Sequence, residues 1–505
     1  MSKNKPFYEK SDITNKYNSI NITYGELLQK SPYEVDTWID ELRDYVITNW
    51  DKGQPPVIGQ NEEDIIKKWS KLHEVNVKEF FTKKTGVIRN FNKLASGVNQ
   101  FFPTMLKTKI STGVSSENAH SIYDMFSEDD YREKFSKAMK RGLYKDSMYS
   151  FGKTLRREDI LNVVDYIKEI NNDKDFGLTI IQQKNKQQVS ENGTWLSFTG
   201  TEVKDLLKRN ILTKDNIRTL DNVELDDTIV LKNGKTRYYH YYCREYNRNQ
   251  RIFPTALQIF RLGLGQPAVN FPALTAKLLY EYYTEHIDGD VIVYDPSSGW
   301  GGRILGAMCT NRTLHYIGTD PNPDNVGRYE NVAEFYNTHC IQDNPFWGDR
   351  EKNTYSVFTN GSEEIYNEPN FKKYEGQVDF VFTSPPYFNR EQYSQDENQS
   401  FKKFSAYEDW RDNFLKPTLT TAYKMLKDDR YICWNIADIK VGSDKFIPLE
   451  QDSIDILEDL GCTYEGKLKM LMTKMIGLNP TQGKNSVEID GNYFKFEPIL
   501  VFKKG

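Results

Sequence analysis

The chain has 505 residues, 38% hydrophobic and 28% charged, a globular composition with too much chain for one ordinary core. Its net charge of −5 hides an asymmetry: residues 1–290 carry 43 basic and 40 acidic side chains, the remainder 24 and 32. A polyanion, if one binds, therefore finds its better host in the N-terminal part.

No run of about 18 apolar residues marks a membrane span, and the first twenty residues lack the apolar block of a secretory signal. Five scattered cysteines (Cys243, Cys309, Cys340, Cys433, Cys462) form no CxxC pair. That excludes a thiolate zinc site of the usual spacing and speaks against a disulfide framework. A soluble, cytoplasmic protein with no metal requirement is expected.

In chain order, helical signals come first, at 24–49, 61–81, around 128–143 and 156–171, and at 201–209. Strand signals are confined to the region near 176–242. The first 270 residues thus read as a mostly α N-terminal region. From residue 271 the pattern alternates. FPALTAKLLYEYYTEH (271–286) has helical spacing, and DVIVYD (290–295) is a β-branched run that ends in a glycine-rich loop before the helical GGRILGAMCT. Strands follow at LHYIGTD (314–320), YSVFTNG (355–361), VDFVFTS (378–384) and RYICWNI (430–436), with helical segments between them. The last runs, KLKMLMTKM and FKFEPILVFKK, read as an antiparallel hairpin at a sheet edge. This alternation predicts an α/β domain over 271–505: a doubly wound, Rossmann-like, largely parallel sheet closed by a C-terminal hairpin.

Ligands of open α/β sheets collect at the carboxyl ends of strands, where strand order reverses. Three clusters fall at such ends. Gly299, Gly301 and Gly302 in YDPSSGWGGR let backbone approach a ligand and open a helix whose N-terminus is partly positive. Asp320, about 25 residues on, stands where an acid can accept hydrogen bonds from a ribose diol. The third is Ser384-Pro385-Pro386-Tyr387, a strand that stops in a stiff proline corner because proline cannot donate to a ladder.

Together these clusters resemble the amino-methyltransferases of DNA, which use S-adenosylmethionine to methylate an exocyclic amine. The family's Asp-Pro-Phe-x-Gly-x-Gly is matched by Asp295-Pro296-Ser297-Ser298-Gly299-Trp300-Gly301, and its Asp/Asn/Ser-Pro-Pro-Tyr by Ser384–Tyr387. A helix that begins Phe271-Pro272 is a further habit of the family, packing against the methionine part of the cofactor. The resemblance covers about residues 270–505. It implies S-adenosylmethionine as cofactor, bound by Phe271, Pro272, Asp295, Pro296, Gly299, Gly301, Asp320 and Ser362. Catalysis is implied at Ser384, Pro385, Pro386 and Tyr387, with a flipped base of double-stranded DNA as substrate. Ser297 in place of phenylalanine departs from the pattern, as do Trp300 and Gly302-Arg303, and these departures leave room for a reaction other than methyl transfer.

An amine conjugated to a heteroaromatic ring is a poor nucleophile. Acceptors for both N–H bonds, the Ser384 side chain and the Pro385 carbonyl, favour a tetrahedral nitrogen with an available lone pair. The prolines aim these acceptors beforehand, and Tyr387 offers a face for an extruded base. No Pro-Cys pair occurs, which disfavours methylation of a cytosine ring carbon. In the family that the chain resembles, serine at the first motif position is more usual in cytosine-N4 enzymes and aspartate in adenine-N6 enzymes, with crossover both ways, so the resemblance favours cytosine N4 over adenine N6.

Only 118 residues follow Tyr387, and the sheet's own elements use them, so target recognition is expected in residues 1–270. The best candidate stretch is KNGKTRYYHYYCREYNRNQRIFP (232–254). There Lys235, Arg237, Arg244, Arg248 and Arg251 alternate with tyrosines, phosphate neutralisers beside stacking faces. A two-faced hairpin carrying core aromatics explains the same pattern. Three other readings of the whole chain stay open: an RNA amino-methyltransferase, a phage enzyme that hypermodifies DNA bases, and a non-catalytic nucleic-acid-binding subunit. The setting expected is a bacterial or phage-infected cytoplasm, and the sequence does not address oligomeric state.

Overall fold

The computed structural model describes residues 31–51, 61–89, 92–110, 120–133, 268–342, 351–388, 390–393, 396–441, 445–474 and 485–505. Short stretches between 6 and 60, residues 135–136 and small strand pieces within 181–238 are described as well. Contacts divide the chain into two compact units. One comprises Met1–Ile13, Ile58–Met125 and Leu264–Gly505; the other comprises Thr14–Val57 and Phe126–Gly263.

In the first unit the elements are α1 (Glu62–Glu74), β1 (Phe81–Thr82), β2 (Val87–Ile88), β3 (Lys109–Ile110), α2 (Ala273–Thr284), β4 (Val291–Asp295) and α3 (Gly302–Met308). Then come β5 (Leu314–Thr319), α4 (Arg328–Phe335), β6 (Thr354–Phe358), β7 (Val378–Thr383), β8 (Glu391–Gln392), α5 (Lys416–Met425) and β9 (Leu426–Asn435). The chain ends with α6 (Leu449–Asp459), β10 (Cys462–Lys474), β11 (Ser486–Ile489) and β12 (Asn492–Lys504). One ten-stranded sheet runs β1-β2-β10-β12-β9-β7-β4-β5-β6, with β11 paired to β12. The five strands β9-β7-β4-β5-β6, which run out to one edge, are parallel. β12 enters antiparallel between β9 and β10, which is the predicted C-terminal hairpin. The chain leaves β4 toward β6 on one side and returns at β7 on the other, so strand order switches between β4 and β7.

Period-two alternation divides the core. Val291 and Val293 of β4, and Phe380 and Phe382 of β7, face a layer containing α2, α3 and α4. Tyr294 and Val381 face the opposite layer, with Leu419 and Met425 of α5 and Leu449 of α6. α2 is buried nearly all round, which suits a helix sandwiched on both sides. Asp379 is a buried acid inside β7; it accepts the Ile292 N–H at 2.9 Å and pairs with Lys427 at 2.6 Å, so it ties neighbouring strands.

The sheet-bearing unit is not confined to residues 271–505. β2 adds to β10 in parallel, and the buried Lys277 of α2 donates to the carbonyls of Leu72, His73 and Val75 at the end of α1, at 2.9, 2.5 and 3.1 Å. A cation there satisfies carbonyls that the helix itself leaves unpaired. His73 Nδ1 lies 2.9 Å from the Tyr336 hydroxyl, a second buried tie. Such long-range pairs have no signature in a local pattern, and local pattern alone puts the break at 270.

The second unit contains the helix Pro32–Trp50, begun by a capping box in which Ser31 and Glu34 bond each other's backbone. Three short antiparallel ladders follow: Ile181–Gln182 with Leu196–Ser197, Gln188–Val189 with Gly193–Thr194, and Thr228–Val230 with Thr236–Tyr238. The expected helices at 156–171 and 201–209 lie outside the described residues. Among the described residues no helix is long and apolar enough to cross a membrane.

Candidate active site

At the switch point, β4 ends on Asp295, a fully buried carboxylate. Its Oδ2 accepts from Arg303 Nε at 2.8 Å and the Tyr316 hydroxyl at 2.7 Å; its Oδ1 accepts from Thr383 Oγ1 at 2.7 Å and the Ser297 N–H at 3.2 Å. One side chain thus binds α3, β5 and β7 to the glycine turn. The turn needs left-handed backbone at Gly299 (φ 63°) and Gly301 (φ 78°), and a Cβ on Gly301 would stand 2.4 Å from the Phe102 ring.

Beyond the turn lies a cavity of 590 Å³. One end is bordered by Phe271, Pro272, Pro296, Gly299, Asp320 and Ser362, the other by Ser384, Pro385, Pro386 and Tyr387. Ten of the twelve sequence-predicted cofactor and catalytic residues therefore meet in one space. Asp295 and Gly301 do not line it; they lie beneath the turn and shape it. Of the predicted nucleic-acid residues, Arg237 falls on the strand Thr236–Tyr238, and Lys235, Arg244, Arg248 and Arg251 lie outside the described residues.

Arg303 is buried, and burial is the largest influence and opposes its charge, but Asp295, Tyr316 and Tyr280 together outweigh it and hold the guanidinium above its ordinary value. Arg303 borders the cavity, and its buried Nη2 has no hydrogen-bond partner. Asp320 accepts from the Asn322 N–H at 2.7 Å, from Asn325 Nδ2 at 3.2 Å and from the Tyr329 hydroxyl. Burial raises its carboxyl above the usual range, against the pull of those bonds. A carboxylate oxygen can accept two bonds and Oδ1 accepts only the Asn322 N–H, so capacity remains on Oδ1. Residues of 58–125 brace this end. The Thr104 hydroxyl donates to Asn325 Oδ1 at 2.7 Å, and the Phe102 ring packs 5.0 Å from that of Tyr329.

At the far end Ser384 and Tyr387 are half-buried and Pro385 is buried. The Tyr387 hydroxyl donates to the Asn435 carbonyl at 3.2 Å. Burial and then the nearby Glu497 push its phenol well above the ordinary value, with a Ser384 hydrogen bond working the other way. Phe388 holds φ 49°, an uncommon geometry for a non-glycine residue, and its buried ring packs 5.7 Å from Tyr407 and 5.9 Å from Trp410. The corner is thereby fixed from both sides. Sequence reasoning missed Arg303, Asn435, Glu391 and Glu497 here; as isolated polar residues they carry no local signal. Among the described residues no group of three or more His, Cys, Asp or Glu is placed to hold a metal ion.

Strand order, the inserted antiparallel β12 and a cavity at the switch point define a doubly wound, Rossmann-like α/β domain. Within it, residues 378–505 match the family model of DNA methylases, and S-adenosylmethionine is the methyl donor that this family implies. No curated protein sequence matches the chain. Solved structures similar to it include the precorrin-6y C5,15-methyltransferase of Geobacter metallireducens GS-15, at 12% identity and TM-score 0.26 over 45% of this chain and 87% of that one. Another is an S-adenosylmethionine-dependent methyltransferase of Methanosarcina mazei, at 11% identity and TM-score 0.26 over 45% and 96%. A third is a TehB-like methyltransferase of Corynebacterium glutamicum, at 12% identity and TM-score 0.24 over 50% and 96%. Likenesses at these TM-scores carry nothing about activity.

The residues present fit the cofactor. The volume is in the range of small-molecule sites, roughly 300–1,000 Å³, the unpartnered Arg303 Nη2 suits a carboxylate, and Asp320 suits a diol.

Proposed function

We propose that the chain is a DNA amino-methyltransferase that methylates the exocyclic amine of a flipped base, cytosine N4 in preference to adenine N6. The observation that carries this reading is the single cavity running from the glycine turn and Asp320 to the Ser384–Tyr387 corner. When bound, S-adenosylmethionine supplies a methyl carbon activated by a sulfonium. Phe271, Pro272, Pro296, Gly299 and Ser362 would border it, Asp320 would accept from its ribose, and Arg303 would donate to its carboxylate.

At the other end, the Ser384 hydroxyl and the Pro385 carbonyl accept the two N–H bonds of the target amine and hold its lone pair toward the cofactor end. The rigid Pro385-Pro386 backbone fixes those acceptors before the base arrives, so little reorganisation opposes the charge that develops. Tyr387 stacks on the base and is kept in place by Asn435. Residues 1–270 supply target recognition, with Lys235, Arg237, Arg244, Arg248 and Arg251 neutralising phosphates. A DNA substrate puts the work in the cytoplasm of a bacterium or a phage-infected cell.

The full chain incubated with radiolabelled S-adenosylmethionine and either unmethylated duplex DNA or structured RNA tests this. Label is expected in DNA, as N4-methyldeoxycytidine after digestion. Recovery as N6-methyldeoxyadenosine would reassign the base. Label in RNA alone, or in neither, would contradict the reading.

A further inference from the structure

Two carboxyl groups border the target end of the cavity and have no part in the chemistry above. Residues of β12 alternate between faces: Ile499 and Val501 point into the layer that holds α2 and α3, and Glu497, opposite Met470 on β10, continues that row. A glutamate thus adjoins the aliphatic pair Ile499 and Val501 in this row, where the row opens onto the cavity. Glu391, on β8, borders the same space, with one oxygen taken by the Tyr393 hydroxyl.

Glu497 has no hydrogen-bond donor and no cation in contact among the described residues. Among the described residues, the charged and titratable groups around the two acids are Arg390, which acts on Glu391; Tyr387 and Tyr393; Arg303, which acts on Tyr393 and is paired with Asp295 at 2.8 Å; and Glu450, already paired with Lys467 at 2.8 Å. Two carboxylates in one cavity with so little compensation do not both ionise cheaply. An independent sign of a missing ligand lies beside them. Asn435 is fully buried and gives its Nδ2 to the Pro498 carbonyl at 2.9 Å, while its Oδ1 has no partner at all.

Resting on the amino-methyltransferase reading, we propose that Glu497 is a specificity residue whose protonated carboxyl donates to the ring nitrogen beside the target amine. That nitrogen is N3 in cytosine and N1 in adenine, and both are acceptors. Guanine N1 and thymine N3 carry hydrogens, so either base would set donor against donor and leave a buried group unpaired. Glu391 keeps the proton on Glu497 by electrostatic repulsion. Burial first, and Glu391 second, push the Glu497 carboxyl up to about 7, which agrees with a proton retained near neutrality.

The test pairs protein and substrate changes. Full-length wild type, Glu497→Ala and the isosteric Glu497→Gln are assayed for methyl transfer on an oligonucleotide whose target is cytosine or 3-deazacytosine, which lacks the ring acceptor (1-deazaadenine if the amine is adenine's). The deaza base should lower kcat/KM of the wild type about tenfold or more. Glu497→Ala should lose as much on the natural base and show no further loss on the deaza base. Glu497→Gln keeps an N–H donor, so it should keep the discrimination while losing any fall in rate as pH rises through neutrality. Glu497→Ala as sensitive to the deaza change as the wild type would overturn the inference. A wild type inert on natural-base DNA would instead overturn the reading beneath it, and this inference with it.

Discussion

Glu497→Gln separates the electrostatics of the cavity from catalysis, because stability alone reports it. In the folded chain burial, followed by repulsion from Glu391, raises this carboxyl from 4.5 to about 7. A group whose folded pKa lies above its unfolded value contributes stability fully present below the unfolded pKa and lost as pH rises through the folded pKa. The window is therefore about pH 4.5 to 7. Each pKa unit is worth about 1.4 kcal/mol, and allowing for the solvent-facing edge of Glu497, the loss is on the order of 2–3 kcal/mol. Glutamine has no proton to lose. Urea unfolding of wild type and variant at pH 5 and pH 8 should find similar stabilities at the lower pH and the variant more stable by that amount at the higher. Glu391→Gln should shrink the difference by relieving the repulsion. A gap between Glu497→Gln and wild type that does not change with pH would refute the argument that burial and Glu391 keep a proton on Glu497.

Gly301→Ala forces a Cβ onto the Phe102 ring at 2.4 Å and a left-handed φ of 78° on an L-residue. It should destabilise by at least about 1–2 kcal/mol and weaken S-adenosylmethionine binding in calorimetry; an alanine variant with unchanged melting and affinity would show that the turn tolerates bulk. Lys277→Met strands the carbonyls of Leu72, His73 and Val75 in the interior, and should cost on the order of 1–3 kcal/mol in chemical denaturation, with faster amide exchange in 61–89. Unaltered exchange there would mean that α1 does not depend on the lysine. Arg244→Ala with Arg248→Ala should weaken DNA binding uniformly across sequences and reduce the salt slope by about 2; an unchanged slope would make 232–254 structural.

Much of the sheet was legible because its strands are buried on both faces and read as apolar runs between turns. VDFVFTS and DVIVYD became β7 and β4 within a residue. β9 begins earlier than RYICWNI suggests, since Lys427, Asp428 and Asp429 extend it with a solvated, polar start that local pattern assigns to a loop. The glycine turn, Asp320 and the proline corner were visible as residue types that only particular backbone geometries require. The bracing from Phe102 and Thr104 was not, because a contact spanning 221 residues leaves no periodicity behind. Glu391 and Glu497 were unreadable for a related reason: an acid in an alternating strand looks solvated until the sheet shows which face it shares with a cavity.

The account depends above all on Ser384 as an acceptor aimed at the target amine, and Ser384→Ala tests it most directly. With labelled S-adenosylmethionine and unmethylated DNA, the variant should transfer methyl on the order of 10²-fold more slowly, while cofactor affinity, measured on the same preparation, stays near that of the wild type. A Ser384→Ala protein that binds cofactor and methylates DNA at the wild-type rate would contradict the account.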